Sequence, residues 1–200
     1  MRLTFVTSNK GKLHEAKAAL SPLGIDIVGS DLKPIEIQGE SLEEISRAKC
    51  EVLIGRLEPP FMVDDAGLFV HALRDFPGVF SAHALKTIGV PGILKLMEGV
   101  EDRSAHFEAV VTYYDGNTTH SFLGRCGGTL TTAAASGGHG FGFDPIFVPK
   151  RGVWGVHPPE SSGLREWDDQ TFAQIPAEVK NHISHRGQAL AWLVAHLGGR

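Results

Sequence analysis

The sequence predicts an α/β or α+β protein: a long, bent mixed β-sheet flanked by helices. Three observations carry that prediction. An apolar run over residues 2–7 passes with almost no loop into a helical pattern. A second helical pattern over 41–57 is followed by a short apolar run that ends in two acids, "FMVDD". Two long extended runs flank Asp115-Gly116-Asn117, the clearest hairpin in the chain. The order of these elements indicates a mixed sheet.

Taken in order, residues 2–7 read as a buried strand, after which Leu13, Ala16 and Leu20 recur at helical spacing among Lys12, Glu15 and Lys17. "IDIVG" (25–29) is a short second strand. Ser41 stands as the N-cap of the helix over 41–57, which sets Ile45, Ala48, Val52 and Leu53 on one face. Residues 61–65 form a strand, Gly67 breaks it, and 67–73 continues extended. "FPGVFSA" is a turn-rich connection, a weaker helix covers 79–87, and Pro91 opens another at an N1-like position. The hairpin strands follow at 105–116 and 118–130. Residues 133–149, "AAASGGHGFGFDPIFVP", are too glycine-rich for a regular element and too aromatic for an idle linker, so they read as a binding loop. The chain is then loop to about residue 170 and helical to its end, with Ser184 as a cap and Leu190, Leu193 and Leu197 on the apolar face. With no internal repeat and no separating linker, residues 1–200 are expected to form a single domain.

Composition excludes several classes. At 200 residues, 42% hydrophobic and 21% charged, the chain reads as globular rather than fibrous or disordered. Its net charge of −4, without a basic tail, argues against a nucleic-acid partner. Cys50 and Cys126 form no Cys-x-x-Cys pair, so both are read as reduced thiols. The N-terminus has no signal-like apolar stretch and no apolar run approaches about 18 residues, so no membrane partner and a cytoplasmic location are expected.

Four segments carry chemistry. At the first strand–helix turn, Thr7-Ser8-Asn9-Lys10-Gly11-Lys12 combines backbone N–H groups with two lysines, where helix starts ordinarily prefer acids. The turn suits phosphate, and the alternative is a solvated lysine-rich helix start. It is not a Walker A loop, because Val6 and Leu13 stand where that motif needs Gly and Ser or Thr. Asp64 and Asp65 project to opposite faces of a strand, so a metal shared with either needs another acid. Glu43 and Glu44 are the available suppliers, although Ser41-x-x-Glu44 also matches a capping box. "DDAG" lacks the second Asp of a dehalogenase-type phosphatase. In "GHGFGFDP", glycines let backbone approach a flat ligand, and the alternation gives one of Phe141 and Phe143 to stacking and the other to the core. In "KNHISHR", Lys180, His182, His185 and Arg186 gather donors at the start of the last helix, and the two histidines lack a nearby acid or Cys that would make them a metal pair.

Together "TSNKGK", "SLEEIS", "VDDAGL", "PGVFSA", "GFGFDPIF" and "SHRGQAL" resemble the inosine triphosphate pyrophosphatase family, over nearly the whole chain and in its order. The resemblance implies cleavage of non-standard purine nucleoside triphosphates between the α and β phosphates with Mg²⁺, in a two-lobed homodimer with a central cleft. By position it implies that Thr7, Ser8, Asn9, Lys10, Gly11 and Lys12 bind triphosphate, and that Glu44 and Asp65 hold the metal. Asp65 would also orient or deprotonate the attacking water, and Ala66 would make a backbone contact. Phe141, Gly142, Phe143 and Asp144 would hold base and sugar, with Phe141 stacking, while Lys180, His185 and Arg186 would contact the base. Ala66 stands where many relatives have Ser or Thr, Phe143 where many have Tyr or Trp, and "ASGGHG" lacks the arginine common in that region. A pyrimidine-directed Maf-like pyrophosphatase and a non-hydrolysing nucleotide sensor are the competing functions.

Overall fold

The computed structural model describes residues 1–150 and 167–199. Over 151–166 the loop expected to reach residue 170 lies outside the described residues. Six strands form one sheet in the order β2-β1-β3-β4-β5-β6. They are β1 (Arg2–Val6), β2 (Asp26–Ser30), β3 (Phe61–Val70), β4 (Ser104–Tyr114), β5 (Thr119–Leu130) and β6 (Phe147–Pro149). β1 runs parallel to β2 and β3, and the remaining pairs are antiparallel, so the sheet is mixed as the sequence predicts.

The helices are α1 (Lys10–Leu20), α2 (Leu42–Glu51), α3 (Ser81–Thr87), α4 (Gly89–Leu96), α5 (Ala177–Ile183) and α6 (His185–Gly198). α2 is shorter than its sequence pattern: it ends at Glu51, and Val52 is exposed. Its buried stripe is Leu42, Ile45, Ser46, Lys49 and Cys50. Pro91 is the third residue of α4 rather than the first, still within the turn that needs no N–H donors. Gly67 does not break β3. That strand continues to Val70 because β4 pairs with it residue by residue as far as Val70 with Ala105. Within the glycine-rich stretch, Phe147–Pro149 is regular after all, because it adds an edge strand to β5.

The central strands β3 and β4 are buried on both faces, and the cores divide along β3. Near its start, Met62 joins Leu3, Phe5, Leu20, Tyr113, Leu190 and Leu193 in one core between the sheet, α1 and α6. Near its end, Leu68 and Val70 join Ile93, Met97, Phe107, Phe147 and Phe172 in a second core. Asp64, Asp65 and Ala66 lie between the two, and there a cleft opens. α6 reaches the sheet closely because β5 carries Gly124: a Cβ there would strike the carbonyl oxygen of His185 and, at 2.7 Å, the amide nitrogen of Ala189. Ser184 caps α6 by accepting from Gly187 N–H at 3.1 Å. Cys50 and Cys126 are both buried and unbridged.

Candidate active site

The turn from β1 into α1 is shaped by Asn9. As N-cap, its Oδ1 accepts from Gly11 N–H at 2.9 Å and Lys12 N–H at 3.2 Å, while Thr7 Oγ1 accepts from Asn9 N–H at 3.1 Å. Four of the N–H groups in the 7–12 turn, those of Thr7, Asn9, Gly11 and Lys12, are therefore already bonded, that of Thr7 to Ser30 O at 2.8 Å. The two lysines differ. Lys10 is exposed, whereas Lys12 turns inward to pair with Asp64 Oδ1 at 2.8 Å.

From Lys12 a buried chain of charges crosses the molecule. Asp64 accepts from Arg186 Nε at 2.7 Å, and Arg186 Nη1 donates to Glu15 at 2.7 Å. Lys180 Nζ donates to Glu15 at 3.1 Å and to Asp144 at 2.7 Å, and Asp144 accepts from the N–H of Phe141 at 2.6 Å. The chain ties α1, β3, α5, α6 and the aromatic loop together. Burial opposes charge on Asp64, but Lys12 and Arg186 hold its carboxyl well below the usual carboxylate range. Lys180 and Arg186 thus each donate to two carboxylates and present charge to the loop, lying 4.9 and 5.4 Å from the centre of the Phe141 ring.

The loop places the two phenylalanines differently. Phe143 is 3% exposed and belongs to the second core. Phe141 lines the cleft, held between Gly140 and Gly142 with φ of 78° and 68°, values only glycine adopts freely. It lies against the start of α1, where a Cβ on Gly11 would come within 2.7 Å of the ring. The cleft encloses about 590 Å³, counting the part open to solvent, and its walls include Asn9, Lys12, Ala66, Leu68, Phe107, Phe141, Gly142, Phe143, Asp144, Lys180, His185 and Arg186. Thr7, Ser8, Lys10 and Gly11 border it through the turn without lining it. His185 is buried beneath, stacked on Phe107 with ring centres 4.7 Å apart, and its Nδ1 has no hydrogen-bond partner among the described residues. Burial, reinforced by Arg186 and Lys180, pushes its pKa well below the ordinary histidine value, so the ring stays neutral and offers one donor and one acceptor.

Asp65 lies on the other face of β3. Its Oδ1 accepts from Lys49 Nζ at 2.6 Å, and Lys49 also pairs with Glu36 at 2.7 Å. Asp65 Oδ2 is buried with no hydrogen-bond partner among the described residues. Burial raises the Asp65 pKa to about 6, a rise that Lys49 and, less strongly, Lys12 oppose. Burial disfavours charge on Lys49 too, yet Asp65 and Glu36 keep it cationic with a raised pKa. Glu44 is exposed at the start of α2. Its N–H is capped by Ser41 Oγ at 3.1 Å, and its Oε2 accepts from Glu40 N–H at 2.9 Å, one residue before the position that the capping-box pattern names. Sequence reasoning missed Glu15, Lys49 and Glu36. The first two stand in the buried stripes of α1 and α2, where a charged residue needs a partner, and that was the available sign.

The fold and the cleft define the class first: a mixed-sheet protein with inward cations, a flat ring on a glycine-framed loop and, nearby, a carboxylate with one buried oxygen left without a partner among the described residues. The model of the Ham1 family matches residues 3–196, and the chain belongs to that family. It is 45% identical over 201 residues to a dITP/XTP pyrophosphatase of Thermococcus kodakarensis, covering 98% of this chain and 100% of that protein. It is 40% identical to a dITP/XTP pyrophosphatase of Pyrococcus horikoshii, covering 98% and 99%. Among solved structures, a HAM1 protein from Coxiella burnetii superposes with a TM-score of 0.79 at 27% identity, covering 100% of both chains. The Staphylococcus aureus Ham1 protein does so with a TM-score of 0.77 at 27% identity, covering 100% of this chain and 99% of that one.

Proposed function

We propose that the protein hydrolyses non-standard purine nucleoside triphosphates, the inosine and xanthosine forms, to the monophosphate and pyrophosphate, removing deaminated purines from the nucleotide pool. The observation that carries this reading is the unpartnered Asp65 Oδ2: a buried carboxylate, fixed through its other oxygen by Lys49, one residue from cleft-lining Ala66. The relatives named as dITP/XTP pyrophosphatases support the substrate class.

The residues divide the work. Lys12 draws the polyanion toward the start of α1, with exposed Lys10 and the 7–12 turn beside it. Phe141 stacks on the base, and Gly142 and Asp144 shape the loop that presents it. His185, kept neutral, faces the polar edge of the base. Lys180 and Arg186 hold the loop and α6 in register through Asp144, Glu15 and Asp64. Asp65 takes the proton of the attacking water, whose oxygen bonds to the α-phosphorus as the bond to the bridging oxygen breaks. A pKa near 6 makes it a stronger base than an ordinary carboxylate while leaving it ionised at neutral pH. An orphaned carboxylate oxygen at Asp65 and a second acid at Glu44 fit a hard dication, and we assign both as ligands of Mg²⁺. When bound, Mg²⁺ supplies charge neutralisation on the phosphate oxygens.

The rest of the reading is that the whole chain acts as one catalytic domain, in the cytoplasm, as a homodimer. Exposed Phe80, Ile88 and Leu96 on and around α3 and α4 support the dimer. Among the described residues no helix is long and apolar enough to cross a membrane.

The test is product analysis with inosine, xanthosine, guanosine, adenosine and pyrimidine triphosphates plus Mg²⁺, with Asp65→Asn alongside. Pyrophosphate from the first two substrates, with turnover reduced about 100-fold or more in the variant, is the expected result. Single phosphate, a pyrimidine preference, or tight binding without turnover would each overturn it.

A further inference from the structure

Away from the cleft, the end of β3 carries a group of side chains that the reaction does not use. His71 opens the helical turn His71–Leu73 that follows β3, and His106 stands on β4 opposite Phe69. The turn folds back on itself, Arg74 N–H bonding to His71 O at 3.0 Å and Asp75 N–H to Val70 O at 3.0 Å, which returns Asp75 to the strand end. One ligand atom from each of His71, Asp75 and His106 lies within 4.8 Å of the other two. We propose that these three residues form a second metal site, one that takes a borderline transition dication such as Zn²⁺.

The two imidazoles already have the spacing that such an ion needs. His71 Nε2 and His106 Nδ1 are 3.0 Å apart. Two ligands of a tetrahedral ion bound at about 2.0–2.1 Å stand roughly 3.4 Å from each other, so the pair forms one edge of the tetrahedron with a few tenths of an ångström to open. Asp75, exposed and on a short side chain, closes the third position. Water completes the fourth.

The surroundings prepare the ligand atoms. Ser104 N–H donates to Asp102 Oδ1 at 2.9 Å, which fixes the residue, and Ser104 Oγ lies 2.9 Å from His71 Nδ1. In the tautomer whose Nδ1–H donates to Ser104 Oγ, His71 leaves its Nε2 lone pair directed at His106, an outward N–H donation of the kind that orients metal-binding histidines. Phe69 stacks on His106 with ring centres 4.8 Å apart and planes inclined by 8°, fixing that ring's orientation. His106 needs only to carry its proton on Nε2 to free Nδ1 for the ion. Two nitrogens and one carboxylate suit zinc, cobalt or nickel. The oxygen pair assigned at Asp65 and Glu44 suits magnesium, so the two sites select different ions. A bound ion would also fasten the segment that continues to cleft-lining Ser81 and Ala82 onto β4.

The test uses the metal-free full-length protein in excess Mg²⁺, titrated with Zn²⁺ by calorimetry and with Co²⁺ by visible absorption. The expected result is one ion per chain, a tetrahedral cobalt spectrum and a higher melting temperature with zinc. Binding should weaken about 100-fold or more in the His71→Gln, His106→Gln double variant and about 10-fold in Ser104→Ala, and stay unchanged in Glu44→Gln. The double variant should keep its zinc-free melting temperature and its Mg²⁺-dependent hydrolysis. If it does not fold, the single variant at exposed His71 carries the same test. Zinc binding that survives these substitutions, or no cobalt spectrum in the wild type, would overturn the proposal.

Discussion

Glu15→Gln is the substitution that tests the buried charge chain most directly. Glu15 accepts from Lys180 and from Arg186, and these three side chains are 9%, 3% and 3% exposed. With Lys12, Asp64 and Asp144 the chain holds three cations and three anions, so it balances. The variant leaves it one positive charge in excess, and the glutamine NH₂ cannot accept from either cation. Removing one partner of a buried pair costs about 3–5 kcal/mol. In a chain of this length each kcal/mol moves the melting temperature by about 2–4 °C, so the expected loss is about 6–20 °C. Urea unfolding at neutral pH followed by circular dichroism reads the free energy, and scanning calorimetry reads the temperature. The control is Glu98→Gln, whose partner Lys95 is 2.7 Å away but with side chains 66% and 75% exposed; it should cost less than about 1 kcal/mol. In 1 M salt the Glu15 loss should persist, because buried pairs are weakly screened. A Glu15→Gln loss under about 1 kcal/mol would refute the argument that this chain behaves as a buried network.

Phe141→Ala should lower kcat/KM by about 5- to 160-fold, the equivalent of about 1–3 kcal/mol of lost stacking, and Phe141→Trp should restore most of it in a steady-state assay. Asp64→Asn removes the shared partner of Lys12 and Arg186 and should destabilise the protein by about 3–5 kcal/mol in the same urea experiment. His185 gives a pH signature. Its folded pKa lies well below the ordinary value, so as pH falls through about 6.5 the unfolded chain takes up a proton that the folded chain refuses, and stability falls. Between pH 7 and 5 the wild type should lose up to about 1.4 kcal/mol more per pH unit than His185→Asn, and equal slopes would show that the ring is not held neutral.

Where one segment carries its own pattern, the sequence was informative. The β1–α1 turn, the β4–β5 hairpin around Asp115 and the α6 cap at Ser184 all depend on neighbours close in sequence. The glycines around Phe141 and Phe143 marked the loop, and their positive φ at 140 and 142 is the local cause. What escaped depends on distant partners. Gly67 is an ordinary strand breaker taken alone, yet ten residue pairs to β4 carry β3 through it. Glu15 looks like a surface acid until Lys180 and Arg186, more than 160 positions away, arrive beside it. Lys49 is the more instructive omission, because Leu42, Ile45, Ser46, Lys49 and Cys50 share one helical stripe and that alone places an ammonium in the interior. Glu36, exposed and in an irregular segment, bore no such mark.

The adjacent acids show how little sequence separates opposite assignments. Asp64 and Asp65 differ by one position, and on a strand that is a change of face. One face meets α1 and α6, which bring Lys12 and Arg186 to Asp64, so that carboxyl is ionised far below neutrality and its oxygens are occupied. The other face meets α2, which brings Lys49, leaves one oxygen of Asp65 without a partner among the described residues and lets burial raise its pKa to about 6. Environments that push two neighbouring pKa values apart separate the structural acid from the chemical one. Exchanging the assignments would require exchanging the helices, because nothing in "VDDAG" itself distinguishes the two carboxylates. The register of β3 against β4, with Asp64 opposite Val111 and Asp65 opposite Val110, therefore decides which acid meets the lysine of α2 and which the basic start of α6. A shift of that register by one residue would keep every motif and place Asp65, the proposed base, against the wrong partners.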